Sequence, residues 1–176
     1  MICKLLILGL FTGAFFSMQV QALESNAKES SMIKVTSSAF GQNQPIPKKY
    51  TCDGENISPT LAFEQLPENT KTIAIVVDDP DAPTGVFDHW VAWNIPGGTK
   101  LLQEGARLEH QGVNHFGEIR YKGPCPPPGK PHHYHFKVYA LDSELNIEDG
   151  STKEELEAAM KGHILAQGEL IGIFQR

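Results

Sequence analysis

The 176-residue chain lacks the features that mark several large classes of protein. With three cysteines and no Cys-x-x-Cys pair, neither a dense disulfide framework nor a zinc knuckle is expected. Lys and Arg number 15 against 21 Asp and Glu, which disfavours nucleic acid as the main partner. The sequence also has no Gly-x-Ser-x-Gly elbow, no glycine-rich phosphate loop and no His-x-x-x-His pair. We therefore expect no metal site and no cofactor.

The remaining composition is typical of one globular domain. Hydrophobic residues make up 40% and charged residues 20%, an ordinary share for a chain that buries a core. The 16 glycines, 12 prolines and 9 phenylalanines, together with several short runs rich in Val and Ile, favour strands and turns over a helical bundle.

The one long apolar run lies at the N-terminus. A single basic residue, Lys4, precedes a run that continues to Phe16, and small residues follow near Ala22. This order is typical of a secretory signal peptide over residues 1–22, cut after Ala22, and predicts a periplasmic or secreted protein. The alternative is a membrane anchor, but the run is short for a span, so no stable span is expected after cleavage.

The mature chain would begin with a polar, flexible lead-in over residues 23–31, followed by a single domain over residues 32–176. It keeps two cysteines, Cys52 and Cys125. They could form a disulfide bridge, as cysteines in an oxidising compartment commonly do, or remain two free thiols. The sequence does not give the distance between them, so both alternatives stay open.

Hydrophobic patterns predict that this domain is mainly β. Residues 72–77 form a continuous apolar run rich in β-branched side chains, which predicts a central strand buried on both faces. Four further strands are predicted over residues 32–36, 89–95, 133–141 and 170–174.

One strong helix is predicted near the C-terminus. Ser151 and Glu154 have the spacing of a capping box, and apolar residues follow at helical spacing as far as Met160. Gly162 and Gly168 are expected to bracket the far end of this helix.

Three segments carry polar residues that a regular strand does not need. The first is the acidic, proline-containing stretch 78–83, and the second is residues 88–90, where His89 precedes Trp90. The third is the stretch 123–136, whose prolines require a stiff extended loop that leads into a strand. Taken alone, an acidic run is most often a solvated loop, and a lone histidine in a strand is most often a core residue.

Alternation divides the polar residues of the strand that follows this loop. His132, Tyr134 and Phe136 are expected on one face, and His133 and His135 on the other. Imidazole and phenol groups are suitable donors for a small anion, so the strand offers a candidate ligand site.

Four motifs, in this order, resemble the phosphatidylethanolamine-binding protein family, also called the Raf kinase inhibitor protein family, and in particular its bacterial branch. The motifs are Tyr50–Pro59, Asp79–Pro83, His89-Trp90 with Asn94–Pro96, and Gly123–Pro127 with His132–Tyr134. Each motif is weak alone, but together they are specific, and the resemblance extends from Ile33 to the C-terminus. One departure is His133, which stands where the family usually has Arg.

The resemblance implies a large central antiparallel β-sheet packed against a smaller sheet, with a few short peripheral helices. It also implies a small pocket for phosphate-type anions. By motif position, the pocket would be lined by Asp79, Asp81, His89, Pro126, Pro127, His132 and Tyr134. Its histidines should bind an anion better as the pH falls, and the two carboxylates would orient His89 or His132 and keep the ring protonated.

The function that the resemblance implies is binding or regulation without turnover, with a small phosphorylated ligand or a lipid head group. Two alternatives stay open: a phosphoester hydrolase that uses the same His and Asp side chains, and a protease inhibitor that acts through its surface. Because family members include kinase and protease inhibitors, a protein target of either type is a further partner to consider. However, an exported protein would not meet a cytosolic host kinase in its own cell. A homodimer is also plausible for a small sheet protein.

Overall fold

The computed structural model describes Met32–Arg176. The predicted signal peptide, residues 1–22, and the predicted lead-in, residues 23–31, lie outside the described residues. In chain order the strands are β1 (Lys34–Thr36), β2 (Gln44–Pro45), β3 (Leu61–Glu64), β4 (Thr72–Asp79), β5 (Phe87–Pro96), β6 (Leu101–Leu102), β7 (His110–Gln111), β8 (His132–Leu141) and β9 (Ile164–Phe174). A 3-10 helix, Lys48–Tyr50, follows β2, and the helix α1 (Lys153–Met160) precedes β9. No helix within the described part is both long enough and apolar enough to span a bilayer.

The strands form two sheets. The larger sheet has the order β2-β9-β8-β4-β5-β7, and the smaller has the order β1-β3-β6. Neighbouring strands pair antiparallel, except that the two-residue β2 runs parallel to β9. The structure thus confirms the predicted mainly β fold, with a large antiparallel sheet, a smaller sheet and short helices.

Both faces of the large sheet are covered near its centre. On one face, Val35 and Phe63 of the small sheet share a core with Ile75 of β4. On the other face, Leu156 of α1 packs in a second core with Val76. All eight residues of β4 are buried, which confirms the prediction of a central strand with two buried faces.

A β-bulge at His89 changes the alternation of β5. Val77 pairs with Trp90, but the next residue, Asp78, pairs with Asp88, so His89 is an extra residue in β5. Strict alternation would place His89 and Trp90 on opposite faces of the sheet. Because of the bulge, both lie on the face that packs against the small sheet, whereas Asp88 points to the side of α1.

The start of α1 differs from the prediction by one residue. The N-cap is Thr152, not Ser151: the Thr152 hydroxyl accepts a hydrogen bond from the N–H of Glu155. The Glu155 carboxylate in turn accepts one from the N–H of Thr152 at 2.8 Å. Both pairs of residues fit the capping-box pattern, and the pair that forms depends on where the helical dihedral angles begin.

Replacing the capping side chain tests this assignment. Thr152→Ala is expected to lower the free energy of unfolding by about 1 kcal/mol, because the N–H of Glu155 loses its acceptor. Ser151→Ala is the matched control, and it should cost less than half as much. Urea unfolding of the two variants gives the comparison, and a larger loss in Ser151→Ala would contradict the cap.

The last strand is longer than predicted. β9 begins at Ile164 rather than at residue 170. The helix ends at Met160, before both glycines that were expected to bracket its end, and Gly168 lies inside β9. The reason for glycine here is packing, because a Cβ at Gly168 would overlap the carbonyl group of Ile33.

Candidate functional site

A cavity of about 150 Å³ lies where the end of β4 meets the starts of β5 and β8. The structure brings six of the seven predicted pocket residues to its wall: Asp79, His89, Pro126, Pro127, His132 and Tyr134. The wall is completed by residues that the sequence reasoning did not single out as pocket residues: Ala82, Pro83, Thr84, Phe87, Phe116 and Cys125.

A buried histidine–carboxylate pair forms one side of the cavity. Nδ1 of His132 lies 2.7 Å from Oδ2 of Asp79, and both side chains are almost fully buried. The other carboxylate oxygen of Asp79 accepts the N–H of Asp81 at 2.9 Å. Because an ionised carboxylate only accepts hydrogen bonds, Asp79 keeps a proton on Nδ1 of His132 and fixes the orientation of the ring.

The hydroxyl group of Tyr134 is buried without a partner. Tyr134 is fully buried, and its Oη makes no hydrogen bond within the described residues. Burial raises the pKa of Tyr134, so the phenol stays protonated. The negative charge of Asp79 acts in the same direction, as does a contact with that carboxylate whose geometry falls short of a hydrogen bond. An unpaired buried donor is costly, so this O–H is available for an acceptor that enters the cavity.

His89 is held in one orientation by the backbone. Its Nδ1 lies 2.7 Å from the carbonyl oxygen of Lys122, which can only accept a hydrogen bond. Burial lowers the pKa of His89, although the carbonyl groups of Lys122 and Gly123 and the charge of Asp79 act in the opposite direction. The ring is therefore neutral at neutral pH, unlike the protonated imidazole expected from the sequence.

Asp81 takes a position other than the predicted one. It is absent from the cavity wall, and its Oδ2 instead accepts from the N–H of His133 at 2.9 Å and lies 2.7 Å from Nδ1 of the same residue. This contact lowers the pKa of Asp81 and attaches the loop after β4 to the start of β8. The two neighbouring carboxylates thus serve different histidines, because His132 and His133 point to opposite faces of β8.

The proline-rich loop is fastened by a disulfide. In the structure Cys52 and Cys125 form a disulfide bridge with an S–S distance of 2.07 Å. The sequence left a bridge and two free thiols as alternatives, and the structure has the bridge. Cys125 itself lines the cavity beside Pro126 and Pro127. Its sulfur is therefore part of a fixed wall and is not a free thiol.

Two phenylalanines close the apolar side of the cavity. The rings of Phe87 and Phe116 lie edge to face, with centroids 4.9 Å apart, and both rings contact His89. Phe87 could have been suspected from its place two residues before His89. Phe116 lies in the loop before the proline-rich motif, and no sequence signal marks it.

A larger groove of about 720 Å³ runs along β1, β8 and β9. Its charged side chains are already paired with other described residues: Lys34 with Glu64, Lys137 with Asp78, and Glu169 with His135. We therefore place the candidate site at the smaller cavity, where a buried donor is unpaired.

Comparison with known proteins decides the family. The family model described as phosphatidylethanolamine-binding protein matches residues 36–175. The chain belongs to this family. A phosphatidylethanolamine-binding-protein homologue of Chlamydia trachomatis, known from a crystal structure, is similar with a TM-score of 0.79 and 44% identity, over 84% of this chain and 99% of that one. The crystal structure of YbcL of Escherichia coli, described as a member of the mammalian family, is similar with a TM-score of 0.76 and 32% identity, over 82% and 98% of the two chains.

The chain is also similar to a relative from another organism. A UPF0098 protein of Pyrococcus horikoshii is 51% identical over 157 residues, which cover 84% of this chain and 79% of that protein. The family match covers all the residues of the cavity wall. Among the described residues, no group of three or more His, Cys, Asp and Glu side chains is arranged to hold a metal ion.

Proposed function

We propose that this phosphatidylethanolamine-binding-protein family member binds a small phosphate-type anion in the cavity between β4, β5 and β8. The observation that carries the proposal is the hydroxyl group of Tyr134, a buried donor without a partner in the cavity wall. A phosphate oxygen is a strong acceptor and would satisfy it.

The rest of the wall suits a small ligand of this kind. The Asp79–His132 pair holds one ring in place, and Lys122 holds the other histidine, His89, through its carbonyl group. Prolines and phenylalanines form much of the remaining wall and present apolar surface to a ligand. A site with rigid walls loses little entropy when it binds a ligand.

We further propose that the protein acts outside the cytoplasm, in the periplasm or as a secreted protein. The apolar run before Ala22 supports export, and a Cys52–Cys125 bridge persists in an oxidising compartment. A protein target of kinase or protease type is also only a proposal, because no surface feature of the described residues supports it. The same is true of a homodimer.

One observation favours phosphoester hydrolysis as the second candidate function. A buried aspartate that orients a histidine, as Asp79 orients His132, is the arrangement of a general base. A hydrolase of this kind would also need a nucleophile or an activated water, and Cys125 is bound in the disulfide. Binding therefore has the stronger support, and an assay for phosphate release from phosphomonoesters separates the two functions.

Calorimetric titration with phosphate and with phosphoethanolamine tests the proposal. The mature chain from Leu23 should bind at least one of them saturably, and Tyr134→Phe should weaken this binding by about thirtyfold, or about 2 kcal/mol, through loss of a hydrogen bond to a charged group.

The matched control is Tyr139→Phe, which removes a hydroxyl group from the opposite face of the same strand, outside the cavity wall. Its affinity should equal that of the wild type. If Tyr134→Phe and wild type bind phosphate equally well, the hydroxyl group does not contact the ligand and the proposed site is wrong.

A further inference from the structure

We propose that the cavity selects an oxyanion that carries its own acidic proton, namely the monoanion of phosphate or of a phosphomonoester. It would reject sulfate and phosphodiesters, which carry no such proton near neutral pH. The inference rests on the proposed function, since it concerns the ligand of the same cavity. The expected ligand is then free phosphate or a small phosphomonoester, and an intact lipid head group, which is a phosphodiester, is excluded.

The hydrogen bonds of His89 assign its tautomer. The carbonyl oxygen of Lys122 accepts from Nδ1 at 2.7 Å, so the ring proton of the neutral imidazole is on Nδ1. Nε2, on the other side of the ring, then carries a lone pair, and the hydrogen bond that the ring makes within the described residues is the one at Nδ1. His89 is only 2% exposed and lies in the cavity wall. It therefore offers the ligand an acceptor.

His132 offers the same polarity when it is neutral. Asp79 accepts from Nδ1 at 2.7 Å, so Nε2 is an acceptor in the neutral ring and a donor only in the imidazolium form. The buried hydroxyl donor of the wall is Tyr134, whose Oη has no hydrogen-bond partner among the described residues, whereas Thr84 is exposed. A ligand must therefore both accept a hydrogen bond from Tyr134 and donate one to His89.

The charges around His89 disfavour a ligand without a proton. The titratable groups that face it are Asp79 from β4, and His132 and Tyr134 from β8. Asp88, in the same strand as His89, points to the other face of the sheet, where the ammonium group of Lys153 lies 2.6 Å from it. Asp79 therefore brings negative charge to the cavity, and no Lys or Arg side chain belongs to the described cavity wall.

The nearby cation and the nearby third histidine do not change this balance. The ammonium group of Lys122 is paired with Glu118 at 2.8 Å, outside the wall. His115 is separated from His89 by the ring of Phe87, which lies between 5 and 6 Å from each by ring centroids, about the range of ordinary aromatic contacts. A fully ionised anion would thus meet Asp79 and the Nε2 lone pair of His89 with little positive charge to compensate.

A phosphate monoanion fits this arrangement. Its P–OH group donates to Nε2 of His89, and an unprotonated oxygen accepts from the hydroxyl group of Tyr134. Sulfate and phosphodiesters have only acceptor oxygens. One of these oxygens would face Nε2 of His89, which is also an acceptor, and no hydrogen bond could form between them. Sites that are built to hydrogen-bond a ligand proton reject analogues that lack it by large factors.

The ligand itself supplies a pH dependence. The second pKa of a phosphomonoester is about 6, so the monoanion fraction falls about fiftyfold between about pH 6 and about pH 8. Phosphomonoester affinity should fall by a similar factor. If protonation of His89 drove binding instead, sulfate would also bind better at the lower pH, so sulfate separates the two explanations.

Calorimetric titration of the mature chain provides the test, at about pH 6 and about pH 8. The ligands are phosphate, phosphoethanolamine, sulfate and glycerophosphoethanolamine, the last being a phosphodiester. At the lower pH at least one of the first two should bind at least about tenfold more tightly than either of the last two. Comparison of phosphate with phosphoethanolamine identifies the source of the monoanion.

Each result has a distinct meaning. Equal affinity for phosphate and sulfate overturns the selectivity but leaves an anion pocket, and tighter binding of the diester shows a lipid head-group site instead. No binding of any of the four ligands overturns the proposed function together with the inference.

His89→Gln provides a second test, because its amide can donate as well as accept, and the ratio of phosphate to sulfate affinity should fall by at least about tenfold. His163→Asn is the matched control, since His163 is half exposed and pairs with Asp142 away from the cavity wall. Thermal unfolding shows whether each variant is folded. The comparison of ligands on the wild type decides the inference even if His89→Gln does not fold.

Discussion

Replacing both bridged cysteines with serine is expected to lower the free energy of unfolding by roughly 4 kcal/mol and to weaken ligand binding. Cys52 and Cys125 are 73 residues apart, and in the chain-entropy description a bridge that closes so long a loop restricts the unfolded chain by about this amount. The bridge also fastens the proline-rich loop, whose Cys125, Pro126 and Pro127 form part of the cavity wall. Without it, ligand binding has to order this loop.

Guanidinium unfolding and calorimetric titration of the same double variant measure the two effects. Addition of a reductant should shift wild-type unfolding toward that of the variant. The variant itself should not respond, because the chain from Leu23 onward has no cysteine besides Cys52 and Cys125. Equal stability of the wild type and the variant under oxidising conditions would show that the bridge does not constrain the unfolded chain.

Lys153→Met is expected to cost about 3 kcal/mol of stability, because it leaves two buried carboxylates without their shared cation. Nζ of Lys153 lies 2.6 Å from Oδ1 of Asp88 and 3.7 Å from Oδ2 of Asp78, and both carboxylates are about 3% exposed. These contacts attach α1 to the large sheet. Asp78 keeps the ammonium group of Lys137 at 2.7 Å, but the remaining partner of Asp88 is the half-exposed His115 at 3.6 Å.

The matched control is Lys137→Met, which removes a more exposed member of the same cluster and should cost clearly less stability.

The pH dependence of stability gives an independent check. Burial disfavours the charge of Lys153, but its hydrogen bond to Asp88 and the charges of both aspartates outweigh burial and raise its pKa. A raised pKa means stability that is fully present below the unfolded value of 10.5 and is lost as the pH rises through the folded value. The difference between wild type and Lys153→Met should therefore be constant near neutral pH and shrink only in strong alkali. A difference that shrinks already near neutral pH would contradict the assignment.

Much of the fold could be predicted from local patterns. The continuous apolar run of β4 and the alternation in β8 depend only on neighbouring residues, so the sequence predicts both strands and the split of His132 from His133. The sequence also indicates the family, because its motifs and their order along the chain can be recognised without knowing where the motifs lie in the fold. Less could be predicted for elements whose limits depend on distant partners. β9 extends back to Ile164 because it pairs with β8 along that strand's whole length.

The sequence predicts most of the residues of the site but not their hydrogen-bond partners. Of the neighbouring carboxylates Asp79 and Asp81, the sequence indicates that both are near histidines, but only the structure assigns Asp79 to His132 and Asp81 to His133. Phe116 escaped prediction altogether, since it reaches the cavity from a loop that shares no pattern with the motifs.

The amino-acid sequence determined the main strands, which face of β8 carries the candidate site, and the family to which the chain belongs. The tertiary structure decided three other matters: the bulge that turns His89 to the face of the cavity, the partner of each aspartate, and the neutral state of the buried His89 ring. The physical reason is the distance along the chain over which each property is set. Side-chain alternation is set within a few residues, whereas strand register, burial and the identity of a hydrogen-bond partner depend on segments that meet only after the sheet has formed.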